Sequence, residues 1–420
     1  MAIRTYFFIL FLMIGQFFVF AQNEEIALLK ELENNIDSIV NNAIRQQAFP
    51  GCIVFASIGD STLINRPFGY HTYDSIKPVM LHDLYDLASI TKATAATLAL
   101  MKLYEADAFR LDDKLKEHLK GAGKLKNLTF RELLAHQAGL QSWIPYYQRF
   151  RKKNGKYKRG TISVDPKSKG FIIDNHQYLE SKIYNKIKKE ISSSKVDKKP
   201  IYKYSGLFFY LIPELVKNLT GLSFDQYLRK EFYDPMGCET LVFNPLDQFS
   251  LDRIIPTEID TFFRMSPIHG KVHDEGAILM GGVSGNAGLF SNVSDLSKIW
   301  RMLLDNGEYG GVSYLKPSTI QLFTSYQYPH LNNRRGLGFD KPLLAYNQRV
   351  SSISKDASIL SYGHTGYTGT LVWADPKTDL LFIFLTNRVY PDRSHKKIYE
   401  LNVRPVLHQK IYDLVLKLEH

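Results

Sequence analysis

The chain has 420 residues, 45% of them hydrophobic and 23% charged, and a formal net charge of +11. This is an ordinary globular composition, with length for one large domain or two small ones. No repeat recurs at a fixed period, which argues against a solenoid or a propeller.

The first segment, MAIRTYFFILFLMIGQFFVFAQ, places Arg4 ahead of an apolar run from Tyr6 to Phe20. The run is shorter than the roughly 20 residues a membrane-spanning helix needs, and Gln16 interrupts it. Val19 and Ala21 suit a signal-peptidase site. Residues 1–21 therefore read as a cleaved leader, and the mature chain as exported from about Gln22 with no stable membrane span. No cysteine follows the run, which disfavours a lipid anchor. Next, Ile26, Leu29, Leu32, Ile36, Ile39 and Ile44 recur at helical spacing. FPGCIVFASIGD and STLINRPFGY then read as two strands around a turn at Gly59–Asp60.

SITKATAATLALMKLYE follows, small and apolar on most faces, with neither glycine nor proline. A helix apolar all round belongs in the core. Ser89 opens it, and Lys92, three residues on, shares its face. The S-x-x-K pattern occurs five times, at Ser89, Ser192, Ser313, Ser352 and Ser394, but only the first opens a buried helix. The pair has two readings. In one, desolvation makes Lys92 a usable base for the Ser89 hydroxyl, and the N–H groups of the helix start favour developing negative charge. In the other, Ser89 is a cap and Lys92 extends to water.

Between Arg149 and Pro200 there are 16 Lys and Arg against 5 Asp and Glu, an excess of 11 that equals the charge of the whole chain. This basic stretch reads as a solvated insertion, with attraction to anionic wall polymer or a membrane surface as the functional alternative. An exported chain without a nucleic-acid module is not expected to bind nucleic acid. Beyond it, Tyr204-Ser205-Gly206 opens another apolar helix. His364-Thr365-Gly366 stands immediately before TGTLVWADPKTDLLFIFLTNR, a hairpin turning at Asp375–Pro376. An amphipathic helix from Ile398 closes the chain despite Pro405. The expected fold is α/β (α+β): an antiparallel sheet built from both chain ends and flanked by helices (about 25–88 and 281–420), with a mostly helical lobe (about 89–280) between. Cys52 and Cys238 read as two buried thiols, not a disulfide.

A serine–lysine helix, a tyrosine loop and an H-T-G strand, in this order, resemble the serine β-lactamase and penicillin-binding-protein superfamily, and within it class C β-lactamase relatives. Further stretches are similar to that family: LTFRELLAHQAGLQSW, FDQYLRKEFYDPMGCETLVF and GGVSGNAGLFSNVSDLSKIWRMLLDNG. Together they span about residues 40–390. PTEIDTFFR and GKVHDEGAILMGGVSG look like an exported subgroup from Bacteroidetes-type bacteria. The resemblance implies that Ser89 is the nucleophile of an acyl-enzyme, that Lys92 deprotonates it, and that Tyr204 relays the proton. It places His364 where lysine is usual, beside the substrate carboxylate. Gly366 would then let substrate approach the strand, after Thr365, and the N–H groups of Ser89 and Tyr367 would form the oxyanion hole.

One position departs from the pattern. The tyrosine motif normally ends in Asn or Asp, whose side chain holds the lysine and touches substrate, whereas Gly206 stands here. Three functions follow: a serine hydrolase acting on an amide or ester of a small molecule or peptide, D-amino-acid-containing wall peptides included; a β-lactamase proper; or a non-catalytic wall binder. His273 and Asp274 line the cleft or form a polar loop beneath it, and His136 reads as structural. No metal-ligand spacing and no phosphate loop is evident, and the chemistry needs no cofactor.

Overall fold

A computed structural model describes residues 2–152, 156–163, 171–174, 177–180 and 182–418, as main chain only at 2–23, 171, 172 and 174. Its centre is a five-stranded antiparallel sheet of β1 (Gly51–Ile58), β2 (Ser61–Gly69), β3 (Tyr362–Thr365), β4 (Leu371–Asp375) and β5 (Leu380–Thr386). The order is β3–β4–β5–β1–β2. β1 lies against β5 from Cys52 opposite Thr386 to Ile58 opposite Leu380. The two chain ends thus meet through their most apolar strands, as the hairpin patterns predict.

Both faces of β1 and β5 are buried, so alternate residues enter different cores. Val54, Ala56, Phe382 and Phe384 point to one, while Ile53, Phe55, Leu381 and Ile383 point to the other. A one-residue slip in register would exchange the two sets, which is why the pairing is strongly specified. The terminal helices α1 (Ala2–Arg45) and α6 (Val403–Leu418) cover the first face. They do so with Leu32, Ile36 and Val40 on α1 and Leu407, Ile411 and Val415 on α6, all essentially buried. The helix expected from Ile398 is broken: Asn402 takes a φ of 49° and α6 starts one residue later, which leaves Pro405 in the first turn where its missing N–H costs nothing. The expected cleavage point at Ala21 falls within α1, in its main-chain-only part. Among the described residues no helix is long and apolar enough to cross a membrane.

The helical side carries α2 (Leu98–Glu105), α3 (Lys182–Ser193), α4 (Ile212–Thr220) and α5 (Val293–Leu304). The helix expected from Ser89 is regular only from Leu98. Ala88–Ile90 is a 3-10 turn and Lys92–Thr97 is π-helical. Single π-helical turns gather at functional sites. Thr94 shows how this one is held. Its carbonyl accepts from the Tyr233 hydroxyl at 3.0 Å, and its Oγ1 accepts from Trp300 Nε1 at 3.0 Å.

Among its described residues, the basic stretch is not only the solvated insertion its charge suggests. Ile183, Ile187 and Ile191 recur at i, i+4 and i+8 on α3, and all three are fully buried in the main core with Leu179. Tyr184 donates to Glu214 on α4 at 2.9 Å, and Lys188 pairs with the same carboxylate. The opposite face of α3, with Lys186 and Lys189, faces Arg149, Lys158 and Arg159 across a cleft of about 420 Å³. Net charge reported only the wet face; the isoleucine period was the signal for the buried one. Cys52 and Cys238 are free and buried, and burial pushes both thiols up.

Candidate active site

The segment before Ser89 is shaped by Asp86. Its two carboxylate oxygens accept the N–H groups of Ala88 (2.8 Å) and His273 (2.7 Å), and its main-chain oxygen accepts the Thr368 hydroxyl (2.8 Å). Ala88 sits at φ 46°, a left-handed conformation that costs a residue with a Cβ about 1–2 kcal/mol. The side-chain bond to its N–H holds it there. The 3-10 and π-helical turns that follow bring Lys92 Nζ within 3.0 Å of Ser89 Oγ. Lys92 is 2% exposed and also donates to the main-chain oxygen of Asn286 at 2.8 Å. Its Nζ lies 5.4 Å from the centre of the Tyr204 ring.

Tyr204 stands on an irregular segment clamped by residues 136–142. Lys203 N–H donates to His136 O (2.9 Å), Ser205 N–H to His136 Nδ1 (3.2 Å) and Ser205 Oγ to Gln141 O (2.6 Å). Because Nδ1 accepts, the His136 ring is neutral with its proton on Nε2. Burial holds its pKa well below the usual value, and the Arg335 and Lys92 cations act the same way. The ring centre lies 4.6 Å from that of Tyr204. His136 is therefore structural, as expected, and what it positions is the tyrosine. The Arg335 guanidinium, 5% exposed and 2.8 Å from Asp340, lies 4.8 Å from the centre of the Tyr204 ring.

His364 and Thr365 form the end of β3, and Gly366 opens the turn into β4, so the motif stands on one strand and ahead of the next. His364 is 1% exposed. Its Nδ1 meets Thr365 O at 2.8 Å, and its Nε2 is buried without a partner among the described residues. Burial pushes the imidazole down to about 3; Asp340 opposes this, while Arg335 and Lys92 reinforce it. At neutral pH His364 is an uncharged ring behind Tyr204 and does not line the cavity. It cannot offer a substrate carboxylate the charge that lysine would. The packing gives Gly366 a reason of its own. A Cβ there would stand 2.0 Å from Thr370 Oγ1 and 2.7 Å from Leu87 O, so the missing side chain lets the turn after β3 pack on the segment that carries Ser89.

Ser89, Lys92, Tyr204, Asn286, Tyr367, His273 and Asp274 meet at one cavity of about 420 Å³, which Thr365 and Gly366 adjoin without lining. Asp274 Oδ1 accepts from Ala277 N–H (2.7 Å), the Tyr210 hydroxyl (3.0 Å) and Asn286 Nδ2 (3.2 Å), and so caps a short helix. His273 Nε2 lies 2.8 Å from Glu258, and its ring stacks on that of Tyr367. Asn286 is the residue the sequence reading missed. It stands in GGVSGNAGLF, where the asparagine between glycines was the available signal. A Cβ on Gly206 would meet the Asn286 Cβ at 3.8 Å and the Tyr210 ring at 3.9 Å, in ordinary van der Waals contact and without a clash. Gly206 has no side chain with which to hold the lysine, and the Asn286 carbonyl holds it instead from across the cavity. Asp113, Glu117 and His118 also bring ligand-type atoms within 4.8 Å of one another. Hydrogen bonds within that turn, His118 to Asp113 and Lys114 N–H to Glu117, account for the arrangement.

A protein of Escherichia coli strain K12, provisionally named a D-alanyl-D-alanine carboxypeptidase, is 31% identical over 325 residues, covering 73% of this chain and 69% of its own. Two solved structures share the fold. EstCE1, a hydrolase with promiscuous acyltransferase activity, superposes with a TM-score of 0.65 at 18% identity, over 90% of this chain and 99% of its own. A penicillin-binding-protein homologue from Caulobacter crescentus gives 0.61 at 16% identity, over 91% and 97%. The β-lactamase family model matches residues 36–404, and with the site geometry in place the chain belongs to that family, within the serine β-lactamase and penicillin-binding-protein superfamily.

Proposed function

We propose that the chain is an exported serine hydrolase that works through an acyl-enzyme on an amide or ester. D-amino-acid-containing wall peptides are the substrate class to which the names of the curated relatives point. The observation that carries this is the Lys92 amine, buried, 3.0 Å from Ser89 Oγ and fixed at 2.8 Å by Asn286 O. Ser89 Oγ attacks the substrate carbonyl as its proton passes to Lys92 Nζ. Base assistance of this kind is worth about 10²–10⁴ in rate. The carbonyl oxygen becomes negative and is taken by the N–H groups of Ser89 and Tyr367, both at the cavity; one such donor is worth about 10²–10³. Tyr204 carries the proton to the leaving group, and the acyl-serine is then hydrolysed by water. His273 and Asp274 act from beneath, His273 by supporting the Tyr367 ring and Asp274 by fixing the loop that holds Asn286.

The neutral His364 and the glycine at position 206 weigh against a β-lactamase proper, because both remove polar groups that would hold a β-lactam carboxylate or side-chain amide. The decisive experiment is intact-mass spectrometry after exposure to a fluorophosphonate, a penicillin and an activated ester. Wild type should gain a fluorophosphonate adduct at Ser89 and turn the ester over, and Ser89→Ala should do neither. Fast cephalosporin turnover would make it a β-lactamase instead. Folded protein that resists every probe would make it a binder.

A further inference from the structure

We propose that the cavity over Ser89 takes a substrate whose acyl group is apolar and uncharged, held between the rings of Trp143 and Tyr367. This rests on the serine-hydrolase reading above and specifies the chemistry of the acyl group that the site accepts, whichever amide or ester carries it.

Two independent observations carry it. The first is that the ionisable groups on the cavity wall already have hydrogen-bond or ionic partners within the fold. Lys92 donates to Ser89 and Asn286. Arg393 pairs with Glu258 through Nε at 2.7 Å and with Glu275 through Nη1 at 2.6 Å. Asp274 accepts three hydrogen bonds on one oxygen. A charged acyl group would have to compete with the Arg393–Glu258 and Arg393–Glu275 pairs or with the groups that hold Lys92 and Asp274, whereas an uncharged one leaves them all in place.

The second is the exposure of two aromatic rings on the lips of that cavity. Trp300 and Trp373 are buried, while Trp143, the remaining tryptophan, is 48% exposed; Tyr367 is also 48% exposed. Both rings pack against neighbours. Tyr367 stacks on His273 at 5.7 Å, with the buried Arg388 guanidinium 4.4 Å from its ring centre. Arg388 is itself fixed by the Tyr367 carbonyl at 2.8 Å. Trp143 lies 6.1 Å from Tyr147, which packs on Phe262 at 5.1 Å and Phe263 at 5.6 Å. Aromatics that already pack on neighbours lose little entropy on binding, and apolar side chains gathered at the mouth of one cleft form a surface that an apolar ligand can cover. Leu207 and Ala287 line the cavity with them. Tyr367 thus supplies two things: a main-chain N–H for the oxyanion, and a ring against which the acyl chain lies.

The test uses the whole protein and p-nitrophenyl esters, so that the leaving group is constant. From acetyl to butyryl to hexanoyl, kcat/KM should climb by about tenfold or more, since a fully buried methylene is worth roughly fourfold. A succinyl ester, with its carboxylate, should fall below the butyryl ester. Trp143→Ala and Tyr367→Ala should each flatten the hexanoyl-to-acetyl ratio, a quantity independent of how much protein is folded, and Trp143→Phe should restore part of it. A flat series in wild type, with acetyl ester hydrolysis still dependent on Ser89, would overturn the clamp and leave the serine hydrolase standing. A ratio unchanged in both alanine variants would overturn it equally. No Ser89-dependent turnover of any ester would remove the hydrolase reading and the clamp with it.

Discussion

Acidification should unfold this protein through histidines that are buried neutral. His364 and His408 are 1% and 0% exposed, and burial pushes both down to about 3. His136 is lowered in the same direction for the same reason. In the unfolded chain each ring titrates near its usual value of about 6.5. Between those limits the unfolded state binds more protons than the native one. The stability these rings contribute is therefore complete above about pH 6.5 and lost progressively as pH falls toward 3. At pH 5 an unfolded histidine is about 1.5 units below its midpoint while the buried ring is still uncharged, a difference of about 2 kcal/mol per ring relative to pH 8. His364 and His408 together make about 4 kcal/mol, against a total of about 5–15 kcal/mol for a native domain. Asp86 works the other way, because burial raises its carboxyl, and Glu258, pushed down to about 2, loses its contribution only at lower pH. The assay is urea unfolding at pH 8 and pH 5 with wild type and His408→Asn. The asparagine oxygen can still accept the Ser354 N–H that His408 Nδ1 receives at 3.3 Å. Wild type should lose several kcal/mol between the two pH values, and the variant about 2 kcal/mol less. Equal stability at both pH values, or an unchanged difference in the variant, would refute the reasoning.

Asp86→Asn presents an amide nitrogen where two N–H groups now find oxygens. It should cost about 1–3 kcal/mol in urea unfolding and lower kcat more than it raises KM, because the turn carrying Ser89 loosens. Gly366→Ala drives a methyl group into Thr370 Oγ1 and Leu87 O. It should cost about 1–3 kcal/mol, and kcat should fall by about 10²–10³ as Tyr367 N–H shifts, read from stability and turnover of one ester. Ile187→Ala, on the buried face of α3, should destabilise by about 2–5 kcal/mol in thermal unfolding, whereas a solvated segment would show no change. Lys92→Ala should lower ester turnover by about 10²–10⁴ with the fold retained; an undiminished rate would remove Lys92 as the base.

The apolar strands at both ends, the helical spacing of the terminal helices and the three short motifs were legible in the amino-acid order, because strand and helix periods and local turn chemistry act within a few residues. So was the grouping of Ser89 with Lys92, three residues apart. The two faces of α3 were written there too, but a count of charge hid them. Tertiary structure decided the rest. Asn286 holds Lys92 from 194 residues away. His364 became neutral because Tyr204, Arg335 and the end of β3 enclose it. Gly366 is needed because Leu87 passes behind it. Each of these depends on which atoms of distant segments come within hydrogen-bond or van der Waals range, and on how much water they exclude. Neither distance nor desolvation has a period along the chain, so only the folded packing could set them.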